Sequence, residues 1–562
     1  MGYIYNNARL VAVISAASLL ATSVEAIANS PVLEPVVESA QAGATAPLSG
    51  DSALKTALIA PQATTEEARI HYQTTAYRGL WIDASGDDTK AKALVDALNR
   101  AGEHALPSAK YNTPLLRAAL DGARGGDSNA IAAAEIALTN AFLIYARDLS
   151  SGLLEPRRID RDLHVFPERP QAPVLLAALA RTSDATAFLA NLAPRHPHYD
   201  GLKAELNTLV SLGVSGAWGA EAPKGGSIRL GQRGPRIEVI RARLGAMGDY
   251  KPAIPAVDPA EYDEGLEAAV RAFQKRHGLN DDGVTGKRTV EALNKSAVYR
   301  AGQIVVNMER LRWLNRDLGH KHVLVNQADY NVKVIEGDKV LFTERVVIGK
   351  SRKHRTPEFS DEMTHMVFNP TWHVPYSIAS KEILPKLQED PEYLAKKNMR
   401  LLARGEGGEF DPTLTDWSLY SENDFPFIVK QRPGGGNALG RVKFMFPNQF
   451  NIYLHDTPSK RLFKKDARAF SHGCVRVQDP MELARVLLAP QQAEPSSYIE
   501  SILNRRKERT VSLAEPMPVH LTYRTAWVDP DGTYQFRADV YGRDARILAA
   551  LRAVGVDAAP ES

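Results

Sequence analysis

Ser471-His472-Gly473-Cys474-Val475-Arg476-Val477 contains the only cysteine of the 562-residue chain. A free thiol has a pKa of about 8.5, so only a few per cent is thiolate at neutral pH. Nucleophilic use of Cys474 therefore needs a base in reach, or an imidazolium that stabilises the thiolate. Two histidines are candidates. His472 lies two residues from Cys474, so in an extended segment both side chains share one face. His455 lies nineteen positions before the thiol, at the end of the strand-like run Asn451-Ile452-Tyr453-Leu454. It is expected on the neighbouring strand, directly across from Cys474. Gly473 permits a backbone turn that other residues resist, and such a turn can aim successive N–H groups at one point, as an oxyanion requires. Arg476 offers a bidentate partner to a carboxylate. Asp479-Pro480 supplies an N-cap and first-turn proline for a helix from Met481 to Leu488.

The rest of the chain explains why a lone thiol would be kept. Arg9 precedes an apolar run, Leu10 to Ala21, followed by small-residue sites in Val24-Glu25-Ala26 and Ala26-Ile27-Ala28. That pattern reads as an export signal or an N-terminal anchor over 1–28, and the run is short beside the roughly 20 residues of a membrane span. An exported protein normally pairs its cysteines or loses them, and this one cannot form an internal disulfide. A small buried hydrophobe is the bland alternative for Cys474. The neighbours His472, Gly473 and Arg476, with His455 upstream, favour catalysis. A net charge of +3 gives no case for nucleic acid, and 44% hydrophobic with 24% charged residues describes a globular chain.

Length alone calls for several domains. Residues 29–64 are rich in Ala, Pro, Ser, Thr and Glu and read as a linker. From 65 to 220 Ala/Leu-rich stretches such as Ala130 to Ala146 and Val174 to Leu192 alternate with Gly and Pro breaks, predicting a mostly helical domain. A compact helical unit follows at 227–295, with Ile237, Ile240 and Leu244 on one helix face and Leu266, Ala269, Val270 and Phe273 on another. Gly278 reads as a C-cap, and His277 as a partner of the helix C-terminal dipole. Beyond 301 the period becomes two, in Val323/Val325, Val332/Val334 and Val340/Phe342, with Glu336-Gly337-Asp338 as a hairpin turn. This predicts a β-rich domain over 301–515. It is interrupted at 377–420 by a helical, polar excursion of the length that usually forms a lid. A strand pair (His520 to Val528 and Tyr534 to Val540) and a tail complete 516–562. The fold class is multidomain α+β.

His455-Asp456, then Ser471-His472-Gly473-Cys474-Val475-Arg476, resembles the signature of the L,D-transpeptidase (YkuD-type) catalytic domain. Val347-Ile348-Gly349, Asn369-Pro370-Thr371-Trp372-His373-Val374-Pro375 and Ile383-Leu384-Pro385-Lys386 are similar to the same family. Where that family often ends its motif with Asn, this chain has Arg476, as a large Gram-negative subgroup with a lid does. The helical unit resembles the three-helix peptidoglycan-binding domain, and 65–220 the scaffold domain of that subgroup. The resemblance implies that Cys474 is the nucleophile, His455 the base and His472 a helper, and that the Gly473 and Cys474 amides form the oxyanion hole. Arg476, Ser471, Trp372 and His373 are expected to line the substrate groove, with packing as the alternative for Trp372.

The reaction implied is attack on a tetrapeptide stem of peptidoglycan, release of D-alanine, and transfer of the acyl group to a second stem as a 3-3 cross-link, in the periplasm or cell envelope. Carbapenems would acylate the same thiol. Water or a lysine of an envelope protein are alternative acceptors, and a non-catalytic wall-binding protein is the alternative of another class. No cofactor is expected. His196, His198, His354, His365 and His373 form no metal-ligand pattern, so no metal is expected either. Contact with a membrane is expected only through an N-terminal anchor.

Overall fold

The computed structural model describes residues 50–60, 63–251, 256–405 and 408–556. The expected export segment and the linker as far as residue 49 lie outside the described residues. The remainder of that linker does not stay a linker. Gly50–Ala57 is a helix, and Leu54 and Leu58, four apart, bury against the helical core that contains Leu138, Phe142 and Tyr145. Around it, helices from Glu66–Thr74 to Pro197–Ser215 form the predicted helical domain. The longest, Ser128–Ser151, is apolar enough to cross a membrane by length and composition, but half of that stretch is buried inside the protein. Its Glu135 is fully buried and accepts the N–H groups of Leu80, Trp81 and Ile82 at 2.9, 2.8 and 2.8 Å, so the carboxylate ties a loop to the helix.

Helices Pro235–Ala246, Glu264–Arg276 and Lys287–Leu293 build the small helical unit around Ile237, Ile240, Leu244, Leu266, Val270, Phe273, Val290 and Leu293. Gly278 adopts φ +65, the left-handed angle a helix end needs. His277 does meet the helix end, its Nδ1 donating to the Phe273 carbonyl at 2.8 Å. Its ring is buried and stacked on Phe273 at 3.9 Å, and burial lowers its pKa well below the usual histidine range. As a neutral ring it serves the helix end through that hydrogen bond and not through a charge.

The β domain does not begin at 301. Ala297–Trp313 is a helix whose residues are nearly all buried, among them Arg300, Glu309, Arg310 and Arg312. It packs with Pro197–Ser215 and Arg543–Ala553 around Ile304, Val305, Met308 and Leu311. A helix covered on every side shows no amphipathic stripe, so the sequence did not reveal it.

From Lys321 the alternation becomes a nine-stranded sheet. Its order is Ala469–Ser471, Lys339–Gly349, Val475–Val477, Leu454–His455, Val442–Met445, Phe359–Phe368, Arg509–Thr522, Lys321–Asn326, Asn331–Glu336. Asn331–Glu336 also pairs with Lys339–Gly349, which closes the sheet on itself. The hairpin turn falls where expected, with Glu336 opposite Lys339 and Gly337 at φ +56. Val323, Val325, Val332, Val334, Phe368, Phe444, Leu454, Val475 and Val477 fill the interior, and helix Pro480–Leu488 packs on it through Leu483 and Leu487.

Two boundaries shift. Arg509–Thr522 lies between Phe359–Phe368 and Lys321–Asn326, so the sheet continues past 515 and claims His520. The terminal strand pair is shorter, Ala526–Val528 with Tyr534–Phe536, and the expected tail contains helix Arg543–Ala553. The excursion also differs from expectation. It is an α/β subdomain from Trp372 to Gln431, with a four-stranded sheet and its own core of Ile383, Leu384, Leu387, Leu401, Trp417, Phe427 and Val429. Its strands are two to five residues long, too short to show a period among the lysines.

Candidate active site

Strand Leu454–His455 runs parallel to Val475–Val477, with Leu454 opposite Val475 and His455 opposite Arg476. On its other side it is antiparallel to Val442–Met445, with His455 opposite Lys443. Alternation of side chains puts Tyr453, His455, Cys474, Arg476 and Lys443 on one face. The register corrects one expectation. Tyr453, not His455, stands across from Cys474, and its carbonyl accepts the Val475 N–H at 3.1 Å. His455 is one step further along that face, its ring 5.7 Å from the Tyr453 ring.

The Cys474 thiol lies 3.6 Å from the Asn451 carbonyl oxygen and donates to it. Burial pushes its pKa up to about 11. Hydrogen bonds from the Tyr453 N–H and phenol, and the charges of Arg476 and Lys443, pull the other way without prevailing. Burial also raises the Tyr453 phenol above its usual range, with the Cys474 charge adding to it. His455 is buried, and burial followed by the charge of Arg476 holds its pKa down to about 3. Its Nδ1 is 2.5 Å from the Asp456 carbonyl oxygen, so Nδ1 carries the proton and Nε2 keeps a lone pair. The Asp456 carboxylate anchors the segment instead. It accepts the Arg441 and Thr457 N–H groups at 2.9 and 2.7 Å and Lys460 Nζ at 2.8 Å. Cys474 and His455 thus rest as neutral thiol and neutral imidazole.

Gly473 adopts φ +121, which L side chains resist. Its N–H donates to Ser471 Oγ at 3.1 Å, and Ser471 Oγ donates to the Cys474 carbonyl at 2.6 Å. Both expectations for these residues change. The Gly473 amide is already spent, and Ser471, buried, clasps the turn instead of lining a groove. Among the described residues the Cys474 N–H has no partner, which leaves it free to donate. His472 turns away from the thiol toward the inserted subdomain, where its Nε2 is 2.5 Å from Glu382 Oε1. Its ring meets the His354 ring at 4.5 Å.

Arg476 is half-buried beside the thiol and has no carboxylate within ion-pair distance among the described residues, and its Nε is buried without a partner. Trp372 packs against the core of the inserted subdomain, which favours the packing alternative. His373 is exposed on the strand paired with Phe427–Gln431. Burial of its ring and the charge of Lys430 lower its pKa, and Glu508 and Lys443 also act on it. Burial lowers the Lys443 pKa, while the charges of Glu508 and Cys474 act to raise it. Tyr453 and Lys443 were not foreseen. Tyr453 sits two residues before His455, so the strand period alone places it beside the site. No group of three or more His, Cys, Asp or Glu suited to a metal occurs among the described residues.

Comparison with known proteins agrees with this layout. Residues 66–206 match the family described as "Scaffold domain", 233–293 "Putative peptidoglycan binding domain", and 320–501 "L,D-transpeptidase catalytic domain". A Haemophilus influenzae protein described as "Putative L,D-transpeptidase" is 33% identical over 245 residues, 44% of this chain and 48% of the relative. The chain thus spans about half the length of that relative. Among solved structures, an L,D-transpeptidase from Stackebrandtia nassauensis is 14% identical, with 52% of this chain and 94% of that one covered and a TM-score of 0.21. One from Xylanimonas cellulosilytica is 15% identical, with 53% and 98% covered and a TM-score of 0.16. Along one sequence the chain thus carries regions that match a scaffold domain, a peptidoglycan-binding domain and an L,D-transpeptidase catalytic domain, the last of these containing Cys474 and His455.

Proposed function

We propose that this protein cross-links peptidoglycan by acyl transfer through a thioester on Cys474. The observation that carries the reading is the pairing, on one sheet face, of a thiol with a neutral histidine whose Nε2 is left as a base by the Nδ1 bond to Asp456. Cys474 Sγ attacks the carbonyl before the terminal D-alanine of a tetrapeptide stem, and its proton passes to His455 Nε2. The Cys474 N–H receives the oxyanion. As the tetrahedral adduct collapses, the C–N bond breaks and His455 returns the proton to the leaving amine of D-alanine. In the second half the side-chain amine of another stem attacks the thioester, His455 takes its proton, and the C–S bond breaks to restore the thiol. Arg476, cationic and without a carboxylate partner, is suited to a stem carboxylate.

The subdomain at 372–431 covers the site through the Glu382–His472 contact and acts as a lid that keeps water from the thioester. A peptidoglycan-binding unit on the same chain supports a cell-envelope location, with export to the periplasm through segment 1–28. The test is incubation of the purified protein with a defined tetrapeptide muropeptide. Free D-alanine together with a 3-3 linked dimer supports the reading. Tripeptide alone would make it a carboxypeptidase, and attachment to an added envelope protein would make the acceptor a lysine. No turnover would leave a wall-binding protein.

A further inference from the structure

Thr356 is fully buried on the loop between strands Lys339–Gly349 and Phe359–Phe368. Its Oγ1 donates to the Gly473 carbonyl at 2.6 Å and accepts the Gly349 N–H at 3.0 Å. Its own N–H donates to the Tyr541 hydroxyl at 3.2 Å, and that hydroxyl donates to the Gly349 carbonyl at 2.7 Å. Arg543 donates to the Thr356 carbonyl at 2.9 Å and pairs with Glu358 at 3.0 Å. The strand end leaves no slack, because a Cβ on Gly349 would stand 1.8 Å from the His354 carbonyl oxygen. Thr356 is thus held by three partners, Gly349, Tyr541 and Arg543, while it holds Gly473.

In a trans peptide the C=O and the following N–H point opposite ways. The hydroxyl that grips the Gly473 carbonyl therefore also sets the direction of the Cys474 N–H. Glycine at φ +121 imposes little resistance to rotation of that peptide plane, so the restraint has to come from outside the turn. The Ser471 clasp restrains the Gly473 N–H and the Cys474 carbonyl but not the peptide between them.

We propose that Thr356, braced by Tyr541, is a positioning residue that orients the Gly473–Cys474 peptide so that the Cys474 N–H meets the oxyanion. The proposal rests on the acyl-transfer reading above. It gives the C-terminal segment a part in catalysis, since Tyr541 lies beyond the residues matched to the catalytic domain.

The test compares two reactions of Cys474 in the full chain, for wild type, Thr356→Val, Thr356→Ser and Tyr541→Phe. Acylation by a carbapenem opens the lactam through a tetrahedral oxyanion. Alkylation by iodoacetamide displaces iodide and forms none. One oxyanion donor is worth on the order of 100- to 1000-fold, and a donor misaimed but not removed should cost less. Thr356→Val should therefore acylate about 10- to 100-fold more slowly, while its alkylation rate stays that of wild type. Thr356→Ser should restore acylation, and Tyr541→Phe should fall between. Both rates are taken on the same folded sample, so a lower melting temperature in Thr356→Val does not obscure the comparison. Wild-type acylation in Thr356→Val, equal loss of both reactions, or failure of Thr356→Ser to restore acylation would each overturn the proposal. A wild-type protein that is alkylated but never acylated would instead overturn the acyl-transfer reading beneath it.

Discussion

A resting thiol with its pKa pushed up to about 11 beside a histidine held at about 3 has a measurable consequence. At pH 7.5 about 0.03% of Cys474 is thiolate, against about 10% for an ordinary thiol of pKa 8.5, a ratio of about 300. A thiolate of higher pKa is intrinsically more nucleophilic. A Brønsted slope of about 0.45 over the roughly 2.5-unit difference restores about 10- to 15-fold. Cys474 should thus react with iodoacetamide about 20- to 30-fold more slowly than a small reference thiol at that pH. Its rate should also rise about tenfold per pH unit between pH 6 and 9, because each unit multiplies the thiolate fraction by ten. Tyr453→Phe removes a hydrogen bond that favours the thiolate, so it should slow alkylation further. The assay is a stopped-time alkylation series read by intact mass. A rate that levels off below pH 7 would mean that Cys474 and His455 rest as an ion pair, and would refute the reasoning.

Two further outcomes follow from the site. His455→Ala removes the base, so turnover should fall about 100- to 10,000-fold and the residue of activity should climb with pH as hydroxide substitutes; a pH-independent remainder would point to another base. Glu382→Ala breaks the contact between lid and turn, a partly exposed pair worth up to about 1 kcal/mol, so the open lid should become up to about fivefold more populated. The ratio of hydrolysed tripeptide to cross-linked dimer should rise with it, and an unchanged ratio would show that this contact does not keep the lid shut.

The parts of the fold that the sequence revealed are those with one covered face. Val323/Val325 and Val332/Val334 alternate because one side of their strands is interior, and Leu266, Val270 and Phe273 recur because one side of their helix is. Ala297–Trp313 escaped notice because it is covered all round and carries its charges inside. Arg509–Thr522 was obscured by the break in its pairing between Ser512 and Met517, which disturbs the alternation.

In the candidate site, residue types and spacing single out Cys474 and His455, but register decides which neighbour faces the thiol. A difference of two positions along one strand separates Tyr453 from His455. Thr356 was out of reach, since the bond that makes it matter joins residues 117 apart in sequence. The fates of Ser471 and the Gly473 N–H were likewise settled by side-chain hydrogen bonds within the turn, which a motif does not record.

The central claim is that Cys474 becomes an acyl-enzyme, and the mass of the intact protein during turnover of a tetrapeptide donor tests it most directly. Acid-quenched wild type should carry one added acyl group equal to the donor less D-alanine, mapped to the peptide containing Cys474 and released by hydroxylamine. Cys474→Ala, folded as judged by its melting temperature, should carry none and release no D-alanine. D-alanine release by Cys474→Ala, or wild-type turnover with no adduct on Cys474 at any quench time, would contradict the account.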